Sequence, residues 1–281
     1  MRCFWLLITV SMLGQNMGWG QVINGQVIDR ETEEALPYVN IGVVELGIGT
    51  VSNRQGVFSL EIPEGEADSA LFSAIGYISQ KVAIEDLTEK KKVWLAPTSY
   101  EMQSFEVLDK GGGRDKTFGI KKGFPAGYTN LASNKPGDEI GTPIKIRKPT
   151  YLKSAHFTID RVSGDSMIYR VNIYEFNDGE IGKNLVSENV LLEGVQKQGV
   201  VSVNLTPFEL VVSEDVLLTL ENIQVDSEEH NSRIGFRYKS VFLRNRNIYG
   251  RIGDNSKNVA GEFSEIIQGS ALNFYFVGNE L

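Results

Sequence analysis

The stretch Gly25-Gln26-Val27-Ile28-Asp29, followed by Leu36-Pro37-Tyr38-Val39-Asn40-Ile41, Gly49-Thr50-Val51-Ser52-Asn53 and Gly56-Val57-Phe58-Ser59-Leu60-Glu61-Ile62-Pro63, decides the fold of the amino-terminal part of the chain. Apolar residues alternate at Val39, Ile41 and Val43 and again at Phe58, Leu60 and Ile62, the period of two of a strand with one buried face. Gly47 and Gly49 fall where the chain must reverse. Gly56 follows Asn53-Arg54-Gln55, a composition suited to a turn with positive φ or local side-chain bonding. Pro63 removes a ladder donor and closes the strand. Leu71-Phe72-Ser73-Ala74-Ile75-Gly76-Tyr77 and Lys92-Val93-Trp94-Leu95-Ala96-Pro97 read as two further strands. Six or seven short strands at roughly ten-residue spacing predict a small antiparallel sandwich.

Several of these residues carry a family pattern: Gly25-x-Val27-x-Asp29 with Thr32, Leu36-Pro37-x-Val39, Gly49-Thr50-x-Ser52-x-x-x-Gly56-x-Phe58-x-Leu60-x-Ile62-Pro63, and the strand end Ile75-Gly76-Tyr77. Here, and on through Leu95-x-Pro97 and Met102 to Val107, the sequence resembles the carboxypeptidase regulatory-like module. That module is a transthyretin-like, Ig-like sandwich found at the amino end of outer-membrane proteins of Bacteroidota, TonB-dependent receptors among them. The resemblance implies an envelope setting and a module without a zinc site, since the module accompanies peptidases in some proteins without carrying their chemistry. It covers about the first third of the mature chain.

Residues 1–20 read as a signal peptide. Arg2 gives a positive start, residues 4–13 an apolar core too short to span a bilayer, and Gly18-Trp19-Gly20 small residues at the positions a signal peptidase inspects. Cleavage is expected before Gln21, and lipidation is not, because Cys3 precedes the apolar run. The chain is thus expected to be exported, to the periplasm, the outer-membrane surface or the medium. The mature chain then carries 27 basic and 36 acidic residues, net −9, and no cysteine. Such acidity disfavours nucleic acid or an anionic leaflet as partner. Without disulfides, stability must come from apolar burial. No later stretch is apolar over the length of a membrane-spanning helix.

Composition shifts after Val107. Asp109-Lys110-Gly111-Gly112-Gly113-Arg114-Asp115-Lys116 combines backbone freedom with charge, so the expected organisation is a first sandwich over 21–108, a flexible linker over 109–117 and a second domain over 118–281. No Gly-Lys-Ser/Thr closes the triple glycine into a phosphate cradle. The second domain also reads as β structure. Residues 167–176 alternate, with Ile168, Arg170, Asn172 and Tyr174 on one side and Tyr169, Val171 and Ile173 on the other, and further strands are expected at 151–159, 200–205, 216–220, 235–243 and 271–277. A jelly-roll-like sandwich is the simplest reading, with 117–150, too rich in Gly and Pro for long helices but offering a strand start at Thr142-Pro143-Ile144-Lys145-Ile146, draped over it, and residues 85–92 making at most a turn.

The chemistry is sparse. His156 and His230 are the only histidines, and neither sits in a zinc motif. Ser166 in Gly164-Asp165-Ser166-Met167-Ile168 lacks the second glycine of a nucleophile elbow. Carboxylate pairs such as Glu175 with Asp178, or Glu221 with Asp226, suit glycoside hydrolysis only if folding sets them at the right separation. Asp226-Ser227-Glu228-Glu229 offers oxygen ligands for calcium without EF-hand spacing, and no other cofactor is expected. One run invites a binding role: Arg237, Tyr238, Lys239, Arg244, Arg246, Tyr249 and Arg251 place cations beside aromatic rings, fit for an acidic glycan or a partner's carboxylates. Ordinary strand alternation, aromatic inward and basic outward, explains the same run.

The expected function is that of a non-catalytic, exported accessory protein of the cell envelope. It would bind or scaffold a protein or glycan partner, including a TonB-dependent receptor. The alternative is a carboxylate-based hydrolase acting on envelope or imported polysaccharide. Two carboxylates with pKa values pushed apart in a cleft would favour the alternative.

Overall fold

The computed structural model describes residues 20–63, 67–98, 114–121, 127–130, 136–163, 167–193, 199–225, 233–240, 247–251 and 263–281, with backbone alone for 127–130, 160–163, 167, 224–225 and 233–240. The chain is all-β, built as two sandwiches.

The first sandwich contains β1 (Gln21–Asp29), β2 (Asn40–Val43), β3 (Ile48–Val51), β4 (Val57–Ile62), β5 (Ser69–Ser73), β6 (Gln80–Ala83), helix α1 (Ile84–Lys90) and β7 (Lys92–Leu95). Its two sheets have the orders β4-β1-β7 and β3-β2-β5-β6. Pairing is antiparallel except between β1 and β7, which run parallel because α1 carries the chain over before β7. The period-two positions Val39, Ile41, Val43, Phe58, Leu60 and Ile62 all enter one core, with Ile23, Val27, Phe72 and Leu95. α1 is a real helix where at most a turn was expected. Leu87 is buried in the same core, Glu85 and Asp86 complement the dipole at its first turn and Lys90 at its last, and Lys91 ends it in a left-handed conformation.

The second sandwich contains β8 (Lys116–Gly119), β9 (Gly127–Asn130), β10 (Glu139–Ile144), β11 (Thr150–Ser163), β12 (Met167–Asn177), β13 (Glu180–Asn184), β14 (Val190–Leu192), β15 (Gly199–Asn204), β16 (Val211–Val212), β17 (Val216–Val225), β18 (Arg233–Ser240), β19 (Ile248–Arg251), β20 (Ser264–Ile267), β21 (Ser270–Leu272) and β22 (Phe274–Glu280). One sheet runs β13-β12-β17-β10-β19-β20 with β14 also on β12. The other runs β21-β18-β11-β22-β8 with β15 and β16 on β11 and β9 on β18. Between them lies a core that includes Ile140, Phe157, Tyr169, Val171, Ile173, Leu218, Leu220, Phe274 and Phe276.

Segment 117–150 does not drape over this sandwich. It supplies strands to both sheets, and β10 is a central strand with all six residues buried. β8 begins at Lys116, inside the expected 109–117 linker, and is tied down where Lys116 meets Glu280 at 2.5 Å. Residues 109–113 lie outside the described residues.

Candidate functional site

In the first sandwich the family-pattern residues converge on structural tasks. Asp29 ends β1, and its Oδ1 accepts from the backbone N–H groups of Glu31 and Thr32 at 2.7 and 3.1 Å, closing the acidic turn. Its Oδ2 accepts from the Tyr77 hydroxyl at 2.5 Å. That bond holds the Asp29 carboxyl below its usual range, with help from the Thr32 amide, and burial together with the Asp29 charge pushes the Tyr77 phenol up to about 12. Ser52 is fully buried, accepting from Val39 N–H at 2.9 Å and donating to the Leu36 carbonyl at 3.1 Å. Asn53 Oδ1 accepts from Gln55 and Val57 N–H, shaping the turn in which Gly56 takes φ +71. A Cβ on Gly56 would stand 2.6 Å from the Val27 carbonyl oxygen, so glycine is required there.

The basic-aromatic run 237–251 is distributed between two sheets. Arg237, Tyr238 and Lys239 lie on β18, paired with β9, β11 and β21 in the eight-stranded sheet, and their side chains are outside the described residues. Arg244 and Arg246 also lie outside them. Tyr249 and Arg251 lie on β19 in the opposite sheet, directed to internal partners: Tyr249 donates to Glu265 at 3.2 Å, and Arg251 binds Glu139 at 2.6 Å.

Arg251 leads to the densest polar cluster of the molecule's described part. Alternation along β12 sends Tyr169, Val171 and Ile173 into the core and Arg170, Asn172 and Tyr174 to the opposite face. On that face β17 contributes Thr219 and Glu221, β10 contributes Glu139, and β19 contributes Arg251; the strand order β12-β17-β10-β19 sets them side by side. The face is buried. Arg170, Asn172 and Glu221 are each 1% exposed and Glu139 and Thr219 0%. Two covers account for this. The first sandwich closes over Arg170, and Phe263 packs edge-on against Tyr174 and over the Arg251 guanidinium, each 5.3 Å between centres.

Arg170 uses all five of its N–H groups. Nε and Nη2 donate to the two oxygens of Glu221 at 2.9 Å each, a two-pronged pairing. Nη1 donates to the Tyr38 carbonyl at 2.8 Å and to Asn189 Oδ1 at 3.1 Å, and Nη2 also to Asn40 Oδ1 at 2.7 Å. Two of the five bonds therefore cross to the first sandwich. Asn172 Nδ2 donates to Glu139 and to Glu221 at 2.9 Å each, and its Oδ1 accepts from Asn184. The second oxygen of Glu139 also accepts from Tyr174 at 3.3 Å, and its first oxygen accepts from Thr219.

Charges in the cluster set the pKa values apart. Burial drives the Glu139 carboxyl upward, and the neighbouring Glu221 charge adds to this against the pull of Arg251. Burial acts on Glu221 in the same sense, but Arg170 and then Arg251 overcome it and hold the group at about 2. Desolvation works most strongly against charge on Arg251, but Glu139, Tyr174 and Glu221 together outweigh it, so the guanidinium stays protonated. Two glutamates with opposed shifts are the pattern expected of an acid and base pair. Here, however, both carboxylates are bridged by one amide and sealed from water, which leaves no space between them for a sugar ring.

The pairs weighed from sequence fare differently. Glu175 is exposed and pairs with Lys183 at 3.3 Å, while Asp178 stands in the turn before β13 at φ 46, so these are solvated hairpin charges. Glu221 belongs to the buried cluster, but with Glu139. Asp226, the 226–229 acidic run, Ser166 and His230 lie outside the described residues. His156 is half-buried on β11, stacked on Tyr275 at 4.5 Å, with Nε2 2.8 Å from Ser154 Oγ; burial, then Lys121, lowers its pKa. Among the described residues no three His, Cys, Asp or Glu gather as a metal site, and no helix is long and apolar enough to cross a membrane. The signal for the cluster was present in the Arg170, Asn172, Tyr174 alternation. What the sequence did not disclose is that something covers that face.

Residues 23–107 match the family model described as CarboxypepD_reg-like domain. No curated protein matches the chain. Among solved structures, one of the infectious bursal disease virus Gt strain aligns over 95% of this chain and 68% of its own at 11% identity and TM-score 0.27. One of the Gx strain aligns over 94% and 68% at 10% identity and TM-score 0.21. Likenesses this slight establish neither a shared fold nor a shared role.

Proposed function

We propose that this is a non-catalytic, exported accessory protein of the cell envelope that binds or scaffolds a protein or glycan partner, a TonB-dependent receptor being one such partner. The observation that carries this reading is the state of the Glu139 and Glu221 pair. The only buried carboxylates with opposed pKa shifts among the described residues have each oxygen engaged by an internal donor, and they serve the junction of two sandwiches. The regulatory-like match over 23–107 and the leader-like residues 1–20 support an envelope setting. The basic-aromatic segment 237–251 remains the proposed binding surface, now centred on the β18 side, because Arg251 and Tyr249 are engaged elsewhere.

Capture of partners from an envelope extract by the purified mature chain tests the reading. A retained protein or glycan, with retention weakened and its salt dependence flattened by Arg244→Ala with Arg246→Ala, is the expected result. Equal capture by that double variant would remove the surface from the proposal. The alternative, a carboxylate-based hydrolase, would need a carboxylate pair other than the bridged Glu139 and Glu221. Turnover of a glycan, abolished by a single Glu or Asp replacement in a chain that still folds, would establish it and overturn the binding reading.

A further inference from the structure

Arg170 belongs to the second sandwich, yet its hydrogen bonding is completed only by the first. Three of its five bonds are local, to Glu221 twice and to Asn189, and two run to the Tyr38 carbonyl and the Asn40 amide oxygen. A guanidinium 1% exposed with two unmet N–H groups would be strongly destabilised, because a buried charged donor that loses its acceptors forfeits its hydration without replacement.

A second observation lies on the other side of the junction. Tyr38 adopts φ 58, the left-handed region that a bulky side chain avoids. The residue is 4% exposed and clusters with Val51 of the first sandwich and Ile223 and Leu191 of the second, and its carbonyl is the group that Arg170 holds. Such strain persists only where surrounding contacts over-determine the backbone, and here they come from both sides: the Ser52 carbonyl accepts from the Tyr38 N–H at 3.0 Å within the first sandwich, and Arg170 holds the Tyr38 carbonyl from the second.

We propose that Arg170 and Tyr38 form a domain lock, in which the second sandwich presents a charged anchor, the first supplies two neutral carbonyl oxygens to complete it, and the pair moves as one rigid body. The lock does not depend on the identity of any partner, so its failure and the failure of the binding reading are separate results. Most of its polar bonds are shielded from water, so it is insensitive to added salt, unlike a surface ion pair.

The test is a distance measurement between spin labels in the full chain, with Cys3→Ser and labelled cysteines at exposed positions Ser59 in the first sandwich and Ser202 in the second. The parent should give one narrow distance distribution at low and at high salt. Asn40→Lys sets a second cation against Arg170 from the half-buried start of β2 while leaving the Arg170 to Glu221 pair in place, and it should lose the single narrow peak. Arg170→Met should do the same where it folds, with hydrogen exchange in β1 and β4 unchanged. A broad distribution in the parent, or a narrow one in the Asn40→Lys chain, overturns the proposal.

Discussion

The Tyr77 hydroxyl donates a 2.5 Å hydrogen bond to Asp29 Oδ2, joining the end of the first strand to a turn 48 residues later. Because Asp29 also accepts from two backbone amides, one carboxylate organises both the acidic turn and the strand end beyond β5. Tyr77→Phe should therefore destabilise the first sandwich by on the order of 1 kcal/mol near neutral pH. The sign follows from both partners. The folded pKa of Asp29 is lowered, so its contribution is present above its unfolded value near 3.8 and fades as pH falls through the folded one. The folded pKa of Tyr77 is raised from 10.0 to about 12, so its contribution is complete below pH 10 and is lost as pH climbs towards 12. Urea unfolding of parent and variant across this range should show the gap closing at both ends. A constant gap would disprove the ionic character of the bond.

Glu221→Gln should be among the most damaging single changes in the second sandwich, about 3–5 kcal/mol, because it leaves Arg170 buried without its countercharge. Glu139→Gln should be milder, since burial already disfavours the charge on Glu139. Its folded pKa lies above the unfolded value of 4.5, so the parent's Glu139 favours folding most below that value and loses this contribution as pH rises through the folded pKa. The stability difference between parent and Glu139→Gln should accordingly shrink as pH increases. Denaturant midpoints from pH 4 to pH 8 measure it, and a difference that grows with pH would contradict the assignment.

Brief proteolysis should cut the chain between residues 108 and 117, on the amino-terminal side of Lys116, where β8 begins. The two pieces should then elute together from a sizing column, because the Arg170 bonds and the Tyr38, Val51, Ile223 cluster join the sandwiches independently of the covalent link. Separation of the nicked pieces without denaturant would contradict this expectation.

Gly56→Ala should destabilise the first sandwich more than an Ala substitution at an exposed turn position. The residue combines φ +71 with a 2.6 Å approach to the Val27 carbonyl, and neither can relax without moving β1. Thermal unfolding of the variant against the parent decides it.

The first sandwich was readable from sequence because its signals are local. Phe58, Leu60 and Ile62 alternate within one strand, and Asn53 and Gly56 shape the turn before it. In the second sandwich the same alternation gave β12 the right faces and the wrong surroundings. Arg170, Asn172 and Tyr174 stand opposite the core as a solvent-facing row would, but two distant pieces of chain, at 38–40 and at Phe263, cover them. Glu139 was missed for a related reason. It opens a strand whose start the sequence suggested only at Thr142, and β10 needs glycine at 141 because a Cβ there would stand 2.3 Å from the Thr219 side chain. Long-range cover and close strand approach leave little trace in a single sequence.

Regulatory-like sandwiches invite treatment as interchangeable parts, and the left-handed Tyr38 sets a limit on that. A replacement sandwich grafted ahead of residue 116 would need to offer a main-chain carbonyl at the place of Tyr38 and an amide oxygen at the place of Asn40, in the same backbone turn. A graft lacking them would leave Arg170, its charge still balanced by Glu221, with two buried N–H groups unmet. Compatibility between such modules and their downstream neighbours is then written in two positions at the entry to β2, and swaps chosen on overall sequence similarity would fail wherever the backbone of the first or the side chain of the second differs.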